Sequence, residues 1–231
     1  MSKFKYIAQF ALTFFFYSIA QAQSTGLLYD PEPPVDSAYV RVLVPADNNS
    51  KMAVHVDGKV RVPSVTAGQV SDYMVVESGK HTLSLHSPGK AQAALMMSLD
   101  VTQGAALTVA FTSSQPASKP VVFEDKKGTN KLKSMLSVYQ LALQNTSMDI
   151  TTSNGKTKVF TGMAYGTMNA IQVNPIKVEL KASKTGETSA LALATLDMTQ
   201  GAAYSIFLLP KSGTNVSSYV IQNKIERYTG K

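Results

Sequence analysis

A stretch of eight residues in the middle of the chain occurs twice. Residues 99–106 return as residues 196–203, which lie 97 positions later and differ by a single apolar exchange. A turn dipeptide repeats at the same distance, because Gly58 in the first half corresponds to Gly155 in the second. Self-similarity at a fixed distance is the sequence signature of a duplicated structural unit. The chain therefore reads as two copies of one domain.

Each copy has the pattern of an all-β domain. Short runs of alternating apolar residues are separated by turn residues, and helix signals are nearly absent. Asp57-Gly58 and Asn154-Gly155 each lie between two such runs, and both dipeptides favour the positive φ that a two-residue hairpin turn requires. The repeated Thr-Gln-Gly supplies a further turn. The sequence predicts two tandem β-sandwich domains, of the immunoglobulin-like or carbohydrate-binding-module-like kind, that arose by internal duplication.

The ends of these domains follow from charge and composition. Lys3 and Lys5 precede an apolar run and a small-residue cleavage site that ends at Ala22, which predicts a secretory signal peptide over residues 1–22. A charged segment without apolar periodicity predicts a linker over residues 125–131. We therefore expect the N-terminal sandwich at residues 27–124 and the C-terminal sandwich at residues 132–231.

The exported chain is mildly basic and has no cysteine. Removal of 22 residues, two of them lysines, leaves 209 residues whose formal net charge is +5, compared with +7 for the whole chain. The charge is compatible with an anionic partner, such as a uronate polymer or an acidic protein surface, and equally with plain solubility. The lack of cysteine excludes disulfides, a thiolate nucleophile and a cysteine-ligated metal.

Catalytic chemistry finds little support in the sequence. The three histidines, His55, His81 and His86, all lie in the first copy, and there is no Gly-Asp-Ser block or Gly-x-Ser-x-Gly elbow. His81 and His86 are five residues apart and should face opposite sides of one strand, while His55 should be a solvated histidine on the polar face. We therefore predict no catalytic residue, no metal site, no cofactor and no nucleic-acid partner.

Polar and aromatic side chains leave two interpretations open. Strand tyrosines are usually half-buried, but a sandwich can also present them as platforms for sugar rings. The linker lysines, such as Lys126 and Lys127, are either solvated or in contact with a polyanion. Arg41, on the first predicted strand, is expected to face solvent.

The block from Leu28 to Val42, which runs Leu-Tyr-Asp-Pro-Glu-Pro-Pro-Val-Asp-Ser-Ala-Tyr-Val-Arg-Val, resembles the start of the mature proteins of the AlgF family of alginate biosynthesis proteins. This resemblance implies two periplasmic β-sandwich domains without catalytic residues. It also implies a role in O-acetylation of an exopolysaccharide, with a membrane-bound O-acyltransferase and periplasmic SGNH-type acetyltransferases as partners. The polymer implied first is alginate, and a cellulose-acetylation counterpart is the alternative.

Three functional hypotheses follow. The first is an adaptor that bridges the acetyl-transfer proteins, the second is a pair of carbohydrate-binding modules that present the polymer, and the third is an enzyme whose site is unrecognised. The proline-rich arm after the signal peptide either packs against its own domain or is offered to a partner. The candidate partner contacts on this arm are Leu28, Tyr29, Pro31, Glu32 and Pro34.

Overall fold

A computed structural model describes residues 32–47, 50–211 and 215–228 of the chain. Every regular element in these ranges is a β-strand. Among the described residues, none belongs to a helix long and apolar enough to cross a bilayer. The predicted signal peptide at residues 1–22 lies outside the described residues, as do Leu28, Tyr29 and Pro31 of the predicted arm.

The first half of the chain contributes eight strands to the structure. These are β1 (Ser37–Leu43), β2 (Met52–Val56), β3 (Lys59–Val65), β4 (Met74–Glu77), β5 (Gly79–His86), β6 (Leu95–Val101), β7 (Ala106–Ala110) and β8 (Val121–Glu124).

The second half contributes eight more strands in the same order. These are β9 (Ser134–Gln140), β10 (Met148–Thr152), β11 (Lys158–Met163), β12 (Thr167–Val173), β13 (Ile176–Lys184), β14 (Ala192–Met198), β15 (Ala203–Pro210) and β16 (Val216–Gln222).

The two halves have the same topology. In the first half, one sheet has the order β4-β1-β7-β8 and the other β3-β2-β5-β6. In the second half, the corresponding orders are β12-β9-β15-β16 and β11-β10-β13-β14. All pairs are antiparallel except β1 with β7 and β9 with β15, which are parallel. The prediction of an all-β fold with two tandem sandwiches is confirmed.

Each sandwich has its own apolar core between its two sheets. In the first domain, Val40 and Val109 of one sheet pack in the same cluster as Val54 and Leu85 of the other. The second domain has an equivalent cluster. Inward and outward residues alternate along the strands, as the twofold period of a pleated strand requires. The burial of these faces fixes the register of each strand.

The repeated octapeptide is where the chain passes between the two sheets of a sandwich. It connects β6 to β7 in the first domain and β14 to β15 in the second, and these partners lie in different sheets. Gly104 and Gly201 have φ of 71° and 73° at the corresponding positions. Such a backbone is favourable only for glycine. The sequence is thus repeated because both copies need the same left-handed turn.

The two predicted hairpins differ in their turns. Asp57 and Gly58 have φ of 51° and 77°, which makes them the predicted two-residue turn between β2 and β3. In the second copy β10 ends at Thr152 and β11 begins only at Lys158, so the prediction of a two-residue turn at Asn154-Gly155 is wrong. Here Asn154 accepts hydrogen bonds on Oδ1 from the Thr152 hydroxyl and the Lys156 N–H, which stabilise a longer loop.

Candidate functional site

The two domains contact each other through the outer faces of two sheets. A third apolar cluster contains Leu43 and Phe123 from the sheet of β1 and β8, together with Tyr139, Phe207 and Leu209 from β9 and β15. The Tyr139 and Phe207 rings are stacked with centroids 4.5 Å apart. These outer faces are therefore buried against each other.

Arg41 lies at the centre of this interface and is fully buried, with 0% of its surface exposed. The expectation that it faces solvent is wrong, because the outer face of β1 is covered by the second domain. Its guanidinium carbon lies 4.4 Å from the centroid of the Tyr73 ring, within the range of a cation–π interaction. A buried charge of this kind is tolerated only when it is paired and hydrogen-bonded.

The guanidinium of Arg41 donates to both domains. Nε donates to the Thr108 hydroxyl at 2.8 Å within the first domain. Nη2 donates to the hydroxyls of Tyr139 at 2.8 Å and Ser205 at 3.0 Å, and Nη1 donates to Asn223 Oδ1 at 2.8 Å, all in the second domain. One side chain thereby connects β1 to β9, to β15 and to the segment after β16.

Asp125 supplies the opposite charge. Its Oδ2 lies 4.0 Å from Arg41 Nε, and the Thr108 hydroxyl bridges the two groups by donating to the same oxygen at 2.6 Å. The Tyr73 hydroxyl donates to Oδ2 at 2.7 Å, and the Tyr139 hydroxyl donates to Oδ1 at 2.5 Å. Asp125 was predicted to begin the linker, and its side chain in fact forms part of the buried interface. The hydroxyls of Thr108 and Tyr139 each accept from Arg41 and donate to Asp125.

The two tyrosine hydroxyls in this network are held in the neutral state. Burial is the main reason that the pKa of Tyr139 rises to about 12, and the nearby Arg41 opposes this rise. Burial raises the pKa of Tyr73 in the same way, and the Asp125 carboxylate adds to the effect. Because both hydroxyls keep their protons, both remain donors to Asp125.

The interface forms between equivalent sheet faces of the two domains, and the side chains on these faces are complementary. In the first copy, Thr108 lies two residues after the repeated octapeptide and is paired with Arg41 in the parallel register. The same position in the second copy pairs Ser137 with Ser205. The small hydroxyl side chains of the second copy leave room for the long cation of the first. A symmetric pair of arginines at this place would bring like charges together.

A cleft of about 450 Å³ opens between the domains beside this network. Asp125 and Asn223 of the network line it, and so does Gly201 at the repeated turn. Three lysines and two tyrosines also line it: Lys126, Lys127, Lys224, Tyr39 and Tyr73. Lys127 Nζ lies 5.7 Å from the centroid of the Tyr39 ring and donates to the carbonyl oxygen of Gly104.

The C-terminal segment of the second domain runs back along the first domain. Tyr73 donates its N–H to the Lys224 carbonyl at 2.9 Å, and Glu226 donates its N–H to the Tyr73 carbonyl at 2.8 Å. The Glu226 carboxylate pairs with Arg61 and accepts from the N–H of Val75 at 2.8 Å. This segment therefore holds the two domains together at a second place.

The three histidines lie in two separate places. His55 and His86 stack on the outer face of the sheet with ring centroids 3.8 Å apart, so His55 is half-buried rather than freely solvated. Burial lowers the pKa of His55, and the neighbouring His86 lowers it further. His81 contacts the Asp57 carboxylate at 2.7 Å and the Glu77 carbonyl at 2.8 Å. The described residues contain no group of three or more acidic or histidine side chains suited to a metal ion.

The predicted arm is described only at its end. Glu32 and Pro34 are exposed, and the Pro34 carbonyl accepts from the N–H of Ser37 at 3.0 Å. Pro34 also lines a second cavity of about 450 Å³, together with Glu226 of the C-terminal segment. The role of the arm in partner binding stays a prediction.

One feature of the sequence indicates that the outer face of β1 is buried. On β1, the residues that alternate with the core positions are Tyr39, Arg41 and Leu43, and two of these three are large and apolar. A strand whose two faces are both apolar is covered on both sides. The other members of the network, such as Thr108 and Ser205, are ordinary strand residues with no distinguishing pattern.

The fold and the interface define a class of all-β proteins made of two duplicated sandwiches that are joined by a buried hydrogen-bond network around an ion pair. A family model described as "Alginate O-acetyl transferase AlgF" matches residues 11–205. The chain belongs to this family, which confirms the resemblance found in the sequence. It is 29% identical over 161 residues to "Alginate biosynthesis protein AlgF" of Pseudomonas aeruginosa, with 70% of this chain and 67% of the relative covered.

Two solved structures show some similarity to the chain. The C-terminal domain of AlgF from P. aeruginosa is 21% identical, with a TM-score of 0.34, and the match covers 40% of this chain and 100% of that domain. A family 26 carbohydrate-binding module from Eubacterium rectale, solved with maltoheptaose, is 10% identical, with a TM-score of 0.28 and coverage of 83% and 99%.

Proposed function

We propose that this protein is a non-catalytic accessory of alginate O-acetylation that acts in the periplasm as an adaptor. It bridges a membrane-bound O-acyltransferase and periplasmic SGNH-type acetyltransferases. Family membership and the name of the P. aeruginosa relative support alginate as the polymer. The predicted signal peptide supports export.

The observation that carries the proposal is the interface between the domains. An adaptor must hold its two binding surfaces in a fixed relation, because a rigid spacer loses less entropy when both partners bind. Here the network of Arg41 and Asp125 and the C-terminal segment around Glu226 join the domains at two places. The buried titratable groups of this network serve the contact between the domains.

The packing of the aromatic rings favours the adaptor over a sugar-presenting module. Every tyrosine among the described residues is buried or half-buried. Tyr139 and Tyr204, for example, are 1% and 8% exposed. A ring that serves as a sugar platform has to present a free face to solvent. Tyr204 instead contributes to the core of the second domain, and Tyr139 and Tyr219 contribute to the interface cluster.

A capture experiment tests this function. The exported chain, from residue 23 onward, is immobilised and exposed to the purified SGNH-type acetyltransferases of its own organism. Oligomannuronate and cello-oligosaccharides are titrated in parallel. We expect an acetyltransferase to be retained and neither sugar to bind. Sugar binding without protein capture would contradict the adaptor and support polymer presentation.

A further inference from the structure

We propose that the cleft between the domains is a docking site for an acidic segment of a partner protein. This inference rests on the proposed adaptor function and names the surface that would serve it. The cleft is formed by both domains, so it exists only while they are joined.

The charge of the cleft is one-sided. Lys126 and Lys127 follow the last strand of the first domain, and Lys224 follows the last strand of the second. All three side chains are exposed. Among the described residues that line the cleft, only Asp125 is acidic. A concave surface lined by one sign of charge attracts ligands of the opposite sign.

Asp125 does not cancel this positive charge, because its carboxylate is already paired with Arg41 and hydrogen-bonded. Its two carboxylate oxygens accept from three hydroxyl groups and lie near the buried guanidinium of Arg41. The buried pair is neutral as a whole. The three lysines therefore give the cleft its net charge, and a carboxylate ligand would meet cations without a competing anion.

The cleft also has donors for carboxylate oxygens. Lys127 donates one of its three protons to the Gly104 carbonyl, and two remain. Asn223, which also lines the cleft, accepts from Arg41 and Ser205 through Oδ1, and among the described residues none accepts from its amide nitrogen, so this nitrogen is a further donor. Charge-assisted hydrogen bonds to carboxylates are stronger than neutral ones.

A protein segment suits this cleft better than a sugar chain. Tyr73 is 7% exposed and has the Arg41 guanidinium against its ring. Tyr39 is half-buried and has the ammonium of Lys127 near its ring. Neither ring offers the free face on which a sugar would stack. The available groups are cations and an amide, which bind carboxylates carried on a flexible chain.

The direct test uses a fluorescein-labelled decapeptide of alternating Glu and Gly as the probe, with a Gln-Gly peptide as the uncharged control. Binding to the exported chain is followed by fluorescence anisotropy at low and at physiological salt. We expect the acidic peptide to bind and its affinity to fall as salt rises. No binding of the acidic peptide at low salt overturns the proposal.

Matched variants locate the binding. The combined change of Lys126, Lys127 and Lys224 to Gln should weaken binding roughly tenfold, because three charge pairs are lost. The control changes Lys90, Lys156 and Lys177 to Gln, which removes the same charge from exposed positions away from the cleft. Equal weakening in both variants would show a nonspecific charge effect and overturn the proposal.

Two further measurements separate this inference from the adaptor function. An oligouronate is titrated against the same variants. Binding of the oligouronate that depends on the cleft lysines would show that the cleft binds the polymer and would overturn the proposal of a protein segment. The capture of acetyltransferases is then repeated with the cleft variant. Loss of capture supports the docking site, whereas full capture overturns it and leaves the adaptor function intact.

Discussion

Arg41 specifies the arrangement of the two domains. It is one of the largest fully buried side chains in the described residues, and it donates to hydroxyl or amide oxygens on both sides of the interface. A hydrophobic residue of similar length would fill the same space without this pattern of donors. The position therefore specifies one arrangement of the domains, since any other leaves the guanidinium without its partners.

Replacement of Arg41 by Met should destabilise the protein by about 3–5 kcal/mol, because it leaves the Asp125 carboxylate buried without a cation. Chemical denaturation measures the loss. The control combines Arg41→Met with Asp125→Asn, which removes the stranded charge and should recover part of the stability. If the double variant is as unstable as the single one, the stranded charge is not the cause.

The contact of His81 with Asp57 contributes to the stability of the folded protein in a pH-dependent way. Burial alone would lower the pKa of His81, but hydrogen bonds to Asp57 and to the Glu77 carbonyl outweigh it and raise the pKa above 6.5. The hydrogen bond from His81 lowers the pKa of Asp57 below 3.8. The stabilisation from His81 is full below its unfolded pKa and is lost as pH rises through its folded pKa. That from Asp57 is lost as pH falls through its own folded pKa.

The pH dependence of this stabilisation is measured by thermal melting of the wild type and of His81→Gln at a series of pH values. The difference in melting temperature should be largest near pH 5 to 6, between the pKa of about 3.9 for free Asp and about 6.5 for free His, and should shrink towards pH 8. His55→Gln is the contrasting variant. The pKa of His55 is lowered, so wild-type His55 costs stability as pH falls. A pH-independent effect of His81→Gln would show that its ion pair does not form.

Most of the strands could be predicted from the sequence. Alternation and turn residues indicate the strands that precede the repeated turns, β6 and β14, because one face of each is buried. The short strand β8 was missed, since Pro120 precedes it and it has only four residues. The parallel pairing of β1 with β7 was also missed, because local turn signals report only antiparallel hairpins.

The repeated turn allows a matched comparison of its two glycines. Gly104→Ala should cost about 1–2 kcal/mol from the left-handed backbone alone, since no atom lies within 4 Å of the added Cβ. Gly201→Ala should cost more, because its Cβ would lie 3.3 Å from the Lys131 carbonyl oxygen. Chemical denaturation of both variants gives the difference. A smaller cost at Gly201 would contradict the close packing of this turn beside the interface.

The duplication of the domain could be predicted from the sequence, and the contact between the two copies could not. The octapeptide repeat reveals that there are two domains, since both copies need the same turn. The interface instead depends on residues such as Thr108 and Ser205, which are distant from Arg41 in sequence and have no motif of their own. Their roles arise only when the two outer faces are brought together.

We expect the two sandwiches to behave as one rigid body, because the network of Arg41 and Asp125 and the C-terminal segment around Glu226 join them at two places. The chain has no cysteine, so spin labels can be placed at Ser98→Cys and Thr195→Cys, exposed positions on β6 and β14. Double electron–electron resonance then measures the distance between the domains. We predict one narrow distance distribution for the otherwise unchanged protein and a broad one when Arg41→Met is added. A broad distribution with Arg41 present would contradict this rigid arrangement of the domains.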